Sequence, residues 1–158
     1  MTTFAIYLAA LLIGVIAGLR TFTAPAAVSW AAHAGAIRLA GTPLAFLGFR
    51  FTPWILTALA LVEIFLIDPA PSTASRKTPM QFGFRLVSGA VSGAAIAAFS
   101  GSWIVGLLLG VIGAIFGTLE GADLRKRLAN RFHRDRPAAI LEDAIAVVGA
   151  ALIVGVLA

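Results

Sequence analysis

The chain has 158 residues, 60% of them hydrophobic and 12% charged, with a net charge of +5 and a mean hydropathy of +0.99. A soluble domain carries about 25% charged residues, so this composition excludes an ordinary water-soluble domain and points to a single integral membrane domain. There is no cysteine, which excludes disulfides, thiolate metal sites and cysteine nucleophiles.

The first apolar segment is Phe4 to Leu19. It lacks the positively charged start of a signal peptide and reads as a first span. The second runs from Thr23 to about Ile37, is short, and contains Pro25, His33 and Gly35. The stretch 38–52 is an irregular apolar loop at the membrane interface. The third segment is Pro53 to Ile67, followed by the polar connection 68–79. The fourth is Met80 to Phe99, and the turn Ser100-Gly101-Ser102 leads into the fifth. That helix starts at Trp103, is apolar to about Gly121, and continues as a basic helix toward Phe132. The sixth is Pro137 to Leu157. Pro25, Pro53, Pro79 and Pro137 open segments, where a missing N–H costs nothing. The expected fold is all-α: a polytopic membrane bundle of about six segments. A full span takes about 20 residues, so the short second and third segments are expected to be tilted, re-entrant or shielded inside the bundle.

Lysine and arginine set the orientation. Arg76 and Lys77 lie in one connection, and Arg125, Lys126, Arg127, Arg131, Arg134 and Arg136 in or beside another. Two segments separate these connections, so both fall on one side, the cytoplasmic side of an inner membrane. Six crossings is the favoured reading and makes Arg20 cytoplasmic; a re-entrant second segment would bring Arg20 to the outer end. The basic stretch 125–136 would meet anionic lipid headgroups or a partner rather than nucleic acid.

Glycines mark helix packing. Gly14 and Gly18, Gly89 and Gly93, and Gly106 and Gly110 are each four apart, as are Gly113, Gly117 and Gly121. Small residues at this spacing let helix backbones approach closely in lipid. They predict a tight interface inside the protomer or between protomers, and with it a homo-oligomer. The similarities of residues 25–28 to 137–140 and of 14–18 to 110–114 do not align corresponding segments, so they do not establish an inverted repeat.

The charges in the apolar segments fall in one layer. Glu142 is five residues after Pro137, about 7–8 Å along a helix. Glu63 is five residues before Asp68, and Arg85 six after Pro79. Glu120, Asp123, Asp143 and Arg20 fall at the same end. Charges at this depth are costly and face the interior in pairs. With five acids and two arginines, Glu63, Glu120, Asp123, Glu142 and Asp143 against Arg20 and Arg85, the layer sums to minus three. Surplus carboxylates would be protonated, bind a cation, or reach water. Two readings follow: structural ion pairs, or a polar cavity where Glu63, Glu142 and Asp143 hold a proton or a hard cation of unknown identity. No other cofactor is indicated.

His133 with Asp135, and His33 beside Trp30, are weaker candidates, better explained by solvation and packing. Trp54 and Trp103 are placed as interfacial anchors at outer span ends. No serine has a His/acid arrangement for nucleophilic attack, and the stretch 88–95 is not a dinucleotide fingerprint.

Residues 18–30 (GLRTFTAPAAVSW), 63–72 (EIFLIDPAPS), 85–95 (RLVSGAVSGAA) and 136–147 (RPAAILEDAIAV) together resemble a bacterial family of small polytopic membrane proteins known as a domain of unknown function. The resemblance covers most of the chain and implies an inner-membrane protein without supplying an activity. From the residues, the leading expectation is a small-solute or ion transporter or channel using the charged layer. The second is a non-transporting scaffold, assembly or lipid-binding protein acting through the glycine stripe and basic stretch. A membrane enzyme holding Mg²⁺ and a phosphate ranks third and well behind, because no clustered Asp motif or histidine pair is present.

Overall fold

The computed structural model describes residues 2–67, 78–98, 100–132 and 135–157. Among these residues it is all-helical, with no strand. The helices are α1 (Thr3–Leu19), α2 (Thr23–His33), α3 (Thr52–Val62), α4 (Pro79–Ala98), α5 (Trp103–Phe132) and α6 (Asp135–Leu157). A 3₁₀ turn at Ala45–Gly48 interrupts the long α2–α3 connection, and a π-helical turn at Glu63–Ile67 extends α3. Two of these helices contain stretches long and apolar enough to cross a membrane, Trp103–Leu128 and Pro137–Leu157. Thr3–Leu19 and Thr52–Phe65 are apolar but shorter. The polar connection with Asp68, Arg76 and Lys77 lies outside the described residues, as do His133, Arg134 and the side chains of Asp135 and Arg136.

Local chemistry sets the helix ends. The Thr2 hydroxyl caps α1 by accepting the Ala5 N–H at 3.3 Å. Pro53 occupies the first turn of α3, and Pro79 is the first residue of α4. α2 ends at His33, short of the Ile37 expected, because Gly35 adopts φ +83. In this left-handed conformation the chain folds back, and Ala36 N–H donates to Ala31 O at 2.9 Å, a glycine C-terminal stop.

Consecutive helices alternate in direction. Gly14 and Gly18 of α1 face Gly110 and Ala114 of α5 respectively, so these two helices are parallel. Gly89 and Gly93 of α4 meet Gly110 and Gly106 in the opposite sense. Trp30 of α2 packs edge-on against Trp54 of α3, with centroids 4.9 Å apart, while the other end of α3 brings Glu63 to Thr21. In α6, Glu142 lies by Gly121 and Gly149 by Ile16, so α6 opposes α1 and α5. The short α2 is shielded, burying Ala24, Val28 and Ser29 completely. The equally short α3 is not, since Trp54, Ile55 and Leu59 are exposed. The loop between them is more than interfacial: Leu39 and Leu47 enter the core, and Leu47 O accepts the Ser29 hydroxyl.

The glycine stripe is used within the chain. A Cβ on Gly110 would meet Gly89 C at 2.8 Å and Gly93 Cα at 3.2 Å, and a Cβ on Gly14 would meet Gly110 Cα at 2.8 Å. Gly110 is thus the point where three backbones converge. Gly113 and Gly117 form the second lane, against Leu11 and Val15 of α1. These glycines are buried, so the stripe offers no surface to a second copy, and the homo-oligomer expected from it loses its basis.

Candidate functional site

The polar centre of the molecule is the five-residue turn Gly18-Leu19-Arg20-Thr21-Phe22. α1 stops as Arg20 turns extended, with φ −137 and ψ 120. Helix ends leave carbonyls and N–H groups without intrahelical partners, and in the interior these need partners from elsewhere. Arg85 of α4 supplies one set: its Nη1 donates to Gly18 O at 2.6 Å and to Leu19 O at 2.7 Å. The buried Thr118 hydroxyl of α5 lies 2.8 Å from Ala114 O and 3.2 Å from Gly18 O and donates between them. Glu63 supplies the other set. Thr21 N–H donates to its Oε1 at 2.8 Å and Phe22 N–H to its Oε2 at 3.0 Å, placing a carboxylate at the positive start of α2. Ser88 of α4 donates to Thr21 O at 2.5 Å.

The turn's own side chain completes the set. Arg20 is 0% exposed and its Nη2 lies 2.5 Å from Asp143 Oδ1 of α6. Arg85 Nη2 lies 3.6 Å from Glu63 Oε1. Arg125 Nη1 lies 3.7 Å from Glu142 Oε2. One turn of chain therefore takes polar contacts from α3, α4, α5 and α6, and we refer to it as the hub. Each charge has two jobs: Arg85 and Glu63 neutralise each other while capping opposite helix ends.

Of the acids and arginines expected in the layer, Glu63, Arg85, Glu142, Asp143 and Arg20 are gathered at this end of the bundle. Glu120 and Asp123 are exposed on α5. Arg125, expected in the polar connection, joins the gathered group with a side chain only 15% exposed. Glu63, Glu142 and Asp143 each have an arginine within ion-pair distance, Arg85, Arg125 and Arg20 respectively. Thr118 and Ser88 were not expected at the site, and Arg125 was expected in the basic stretch rather than in the charged layer. On a continuous α5, Thr118, Gly121 and Arg125 follow the three-then-four spacing of one helix face, and that spacing was the available signal.

Lys126, Arg127 and Arg131 are exposed on the last turns of α5. His33 is an exposed packing residue, its ring edge-on to Trp30 at 6.1 Å and its Nδ1 3.4 Å from Gly48 O. Among the described residues no three His, Asp or Glu side chains are grouped to hold a metal ion.

No family model, curated protein or solved structure matches this chain.

The family resemblance of the four segments accordingly carries no part of the functional reading, which rests on geometry. Cavities near the hub are apolar-walled. A groove of about 220 Å³ between α2, α3 and α4 is lined by Phe84, Val87, Val91 and Leu56 and reaches the hub at Thr21 and Ser88. A smaller slot, lined by Leu19, Leu124, Leu141 and Ile145, borders Glu142 and Arg125.

Proposed function

We propose that this chain is a multi-pass membrane protein, embedded through the whole bundle, whose charged layer is a structural clamp. In this reading it is a non-enzymatic, non-transporting lipid-binding or scaffold protein that meets its partners at the basic end of α5. All six helices expose large apolar side chains, among them Phe4, Leu8 and Leu12 on α1, Phe84 and Val87 on α4, and Leu152 and Val156 on α6. Many alanines and glycines lie inside with Arg20, Glu63, Arg85 and Glu142, a distribution suited to lipid outside and close helix approach within. The basic stretch supports a cytoplasmic hub end.

The observation that carries the functional choice is that Glu63, Glu142 and Asp143 each lie within ion-pair distance of an arginine. A proton or cation carrier needs a carboxylate that can exchange its partner. Here each partner is an arginine, which does not deprotonate, and breaking a buried pair costs about 3–5 kcal/mol. The transporter reading keeps one support, that the three buried acids lie at one end. Liposome flux decides between the two. Purified protein in vesicles should pass protons, Na⁺ and K⁺ no faster than protein-free vesicles, and Glu63→Gln should only lower stability. Flux from the wild type that is lost in a folded Glu63→Gln variant would establish transport instead.

A further inference from the structure

We infer that the α5–α6 hairpin binds an anionic phospholipid, one acyl chain in the slot between α1, α5 and α6 and the phosphate at Arg127 and Arg131. This rests on the reading of the chain as a lipid-embedded, lipid-binding protein. α5 has 30 residues, about 45 Å of helix, against a hydrocarbon core of about 30 Å. The hub ties Arg125 to Glu142. Past it α5 continues to Phe132, about 10 Å further, so in a bilayer the last turns of α5 would stand beyond the Arg125–Glu142 pair, toward the headgroups.

Its chemistry is ordered along its length. The slot is walled by Leu19, Leu124, Leu128, Leu141 and Ile145 and has a cavity volume of about 60 Å³. Leu124, Leu141 and Ile145 are 51%, 43% and 46% exposed, so the slot opens to the bilayer. Gly121 keeps it open at its inner end, since a Cβ there would collide with Leu19 Cδ2. Leu124, Leu128 and Arg131 follow the four-then-three spacing of one helix face, which puts Arg131 on the slot face one turn outward. Arg127 lies beside it, and both are exposed. Asp123 sits one turn inward of Arg127 and two inward of Arg131, leaving Arg131 the principal anchor.

Charge complementarity selects an anionic lipid. Arg20, Arg85 and Arg125 lie within ion-pair distance of Asp143, Glu63 and Glu142, whereas the outward end of α5 presents Lys126, Arg127 and Arg131 to solvent. An apolar wall leading to a guanidinium pair fits one chain and one phosphate diester, and guanidinium forks bind phosphate bidentately. The free choline-type ammonium of a zwitterionic lipid would be repelled there.

The test is a binding titration of the full chain, purified in neutral detergent, with short-chain phosphatidylglycerol and phosphatidylcholine. Phosphatidylglycerol should bind at least tenfold tighter. A cationic side chain at the membrane surface is worth about fivefold in binding, so Arg127→Gln/Arg131→Gln should weaken phosphatidylglycerol about 30-fold. Leu128→Trp, which fills the slot and leaves the charges, should weaken both lipids. Arg38→Gln/Arg50→Gln, outside the hairpin, should change neither. Equal binding of the two lipids, equal loss in the Arg38/Arg50 variant, or displacement of phosphatidylglycerol by inorganic phosphate would overturn the inference. Protein that stays soluble without detergent would instead sink the membrane reading itself.

Discussion

Adding one methyl group at Gly110 should destabilise the bundle by about 2 kcal/mol. In an open helix Gly→Ala stabilises by up to about 1 kcal/mol, because alanine loses less backbone entropy. At Gly110 the new Cβ would sit 2.8 Å from Gly89 C and 3.2 Å from Gly93 Cα, both backbone atoms that no rotamer change can remove. Overpacking costs about 1–3 kcal/mol, and a rigid obstruction puts this site at the upper end. The same Gly110 backbone also supports Gly14 of α1, so moving α5 away from α4 disturbs a second interface. Net of the propensity gain, about 2 kcal/mol remains, or a melting temperature lower by about 4–8 °C for a chain of this size. Thermal unfolding in one fixed detergent measures it. Gly83→Ala and Gly155→Ala are the controls: no atom lies within 4 Å of their Cβ positions, so both should hold or raise the melting temperature. A Gly110→Ala protein melting with the controls would refute the close three-backbone contact.

Glu63→Gln should cost about 3–5 kcal/mol, the range for stranding one charge of a buried pair, and Arg85→Met should cost at least as much because Gly18 O and Leu19 O lose their donor as well. The double variant should be less unstable than the sum of the two by about 0.5–3 kcal/mol, the coupling of side chains in one network; additive values would mean the two act separately. Arg20→Gln should destabilise more than Arg125→Gln in the same unfolding assay, since Arg20 is 1% exposed at 2.5 Å from its carboxylate and Arg125 is 15% exposed at 3.7 Å; the reverse order would contradict the ranking by burial.

The helices were legible in the sequence because their signals are local. Prolines at 25, 53, 79 and 137 open segments, and the apolar runs between polar connections set their lengths. The glycine spacing foretold close packing but not its address, since an interface inside the chain and one between chains use the same small residues. The layer of charge was legible in outline. What the sequence hid was the use of backbone: nothing in the residue types at 18–22 says that their carbonyls and N–H groups are the ligands of Arg85 and Glu63. Assigning Arg125 to the basic stretch rather than to the layer also hid its pairing with Glu142.

The hub also constrains the order in which the chain can be made. Arg20 belongs to the first helical hairpin, and its carboxylate partner Asp143 lies on the last helix. A ribosome delivers α1 and α2 long before α6, so under the proposed membrane reading Arg20 arrives before Asp143 is synthesised. At the water boundary a lone charge is tolerated. Entry of the last helix then supplies the Asp143 carboxylate and closes the bundle, so a chain truncated before α6 would lack one of the contacts that hold Arg20 in the interior.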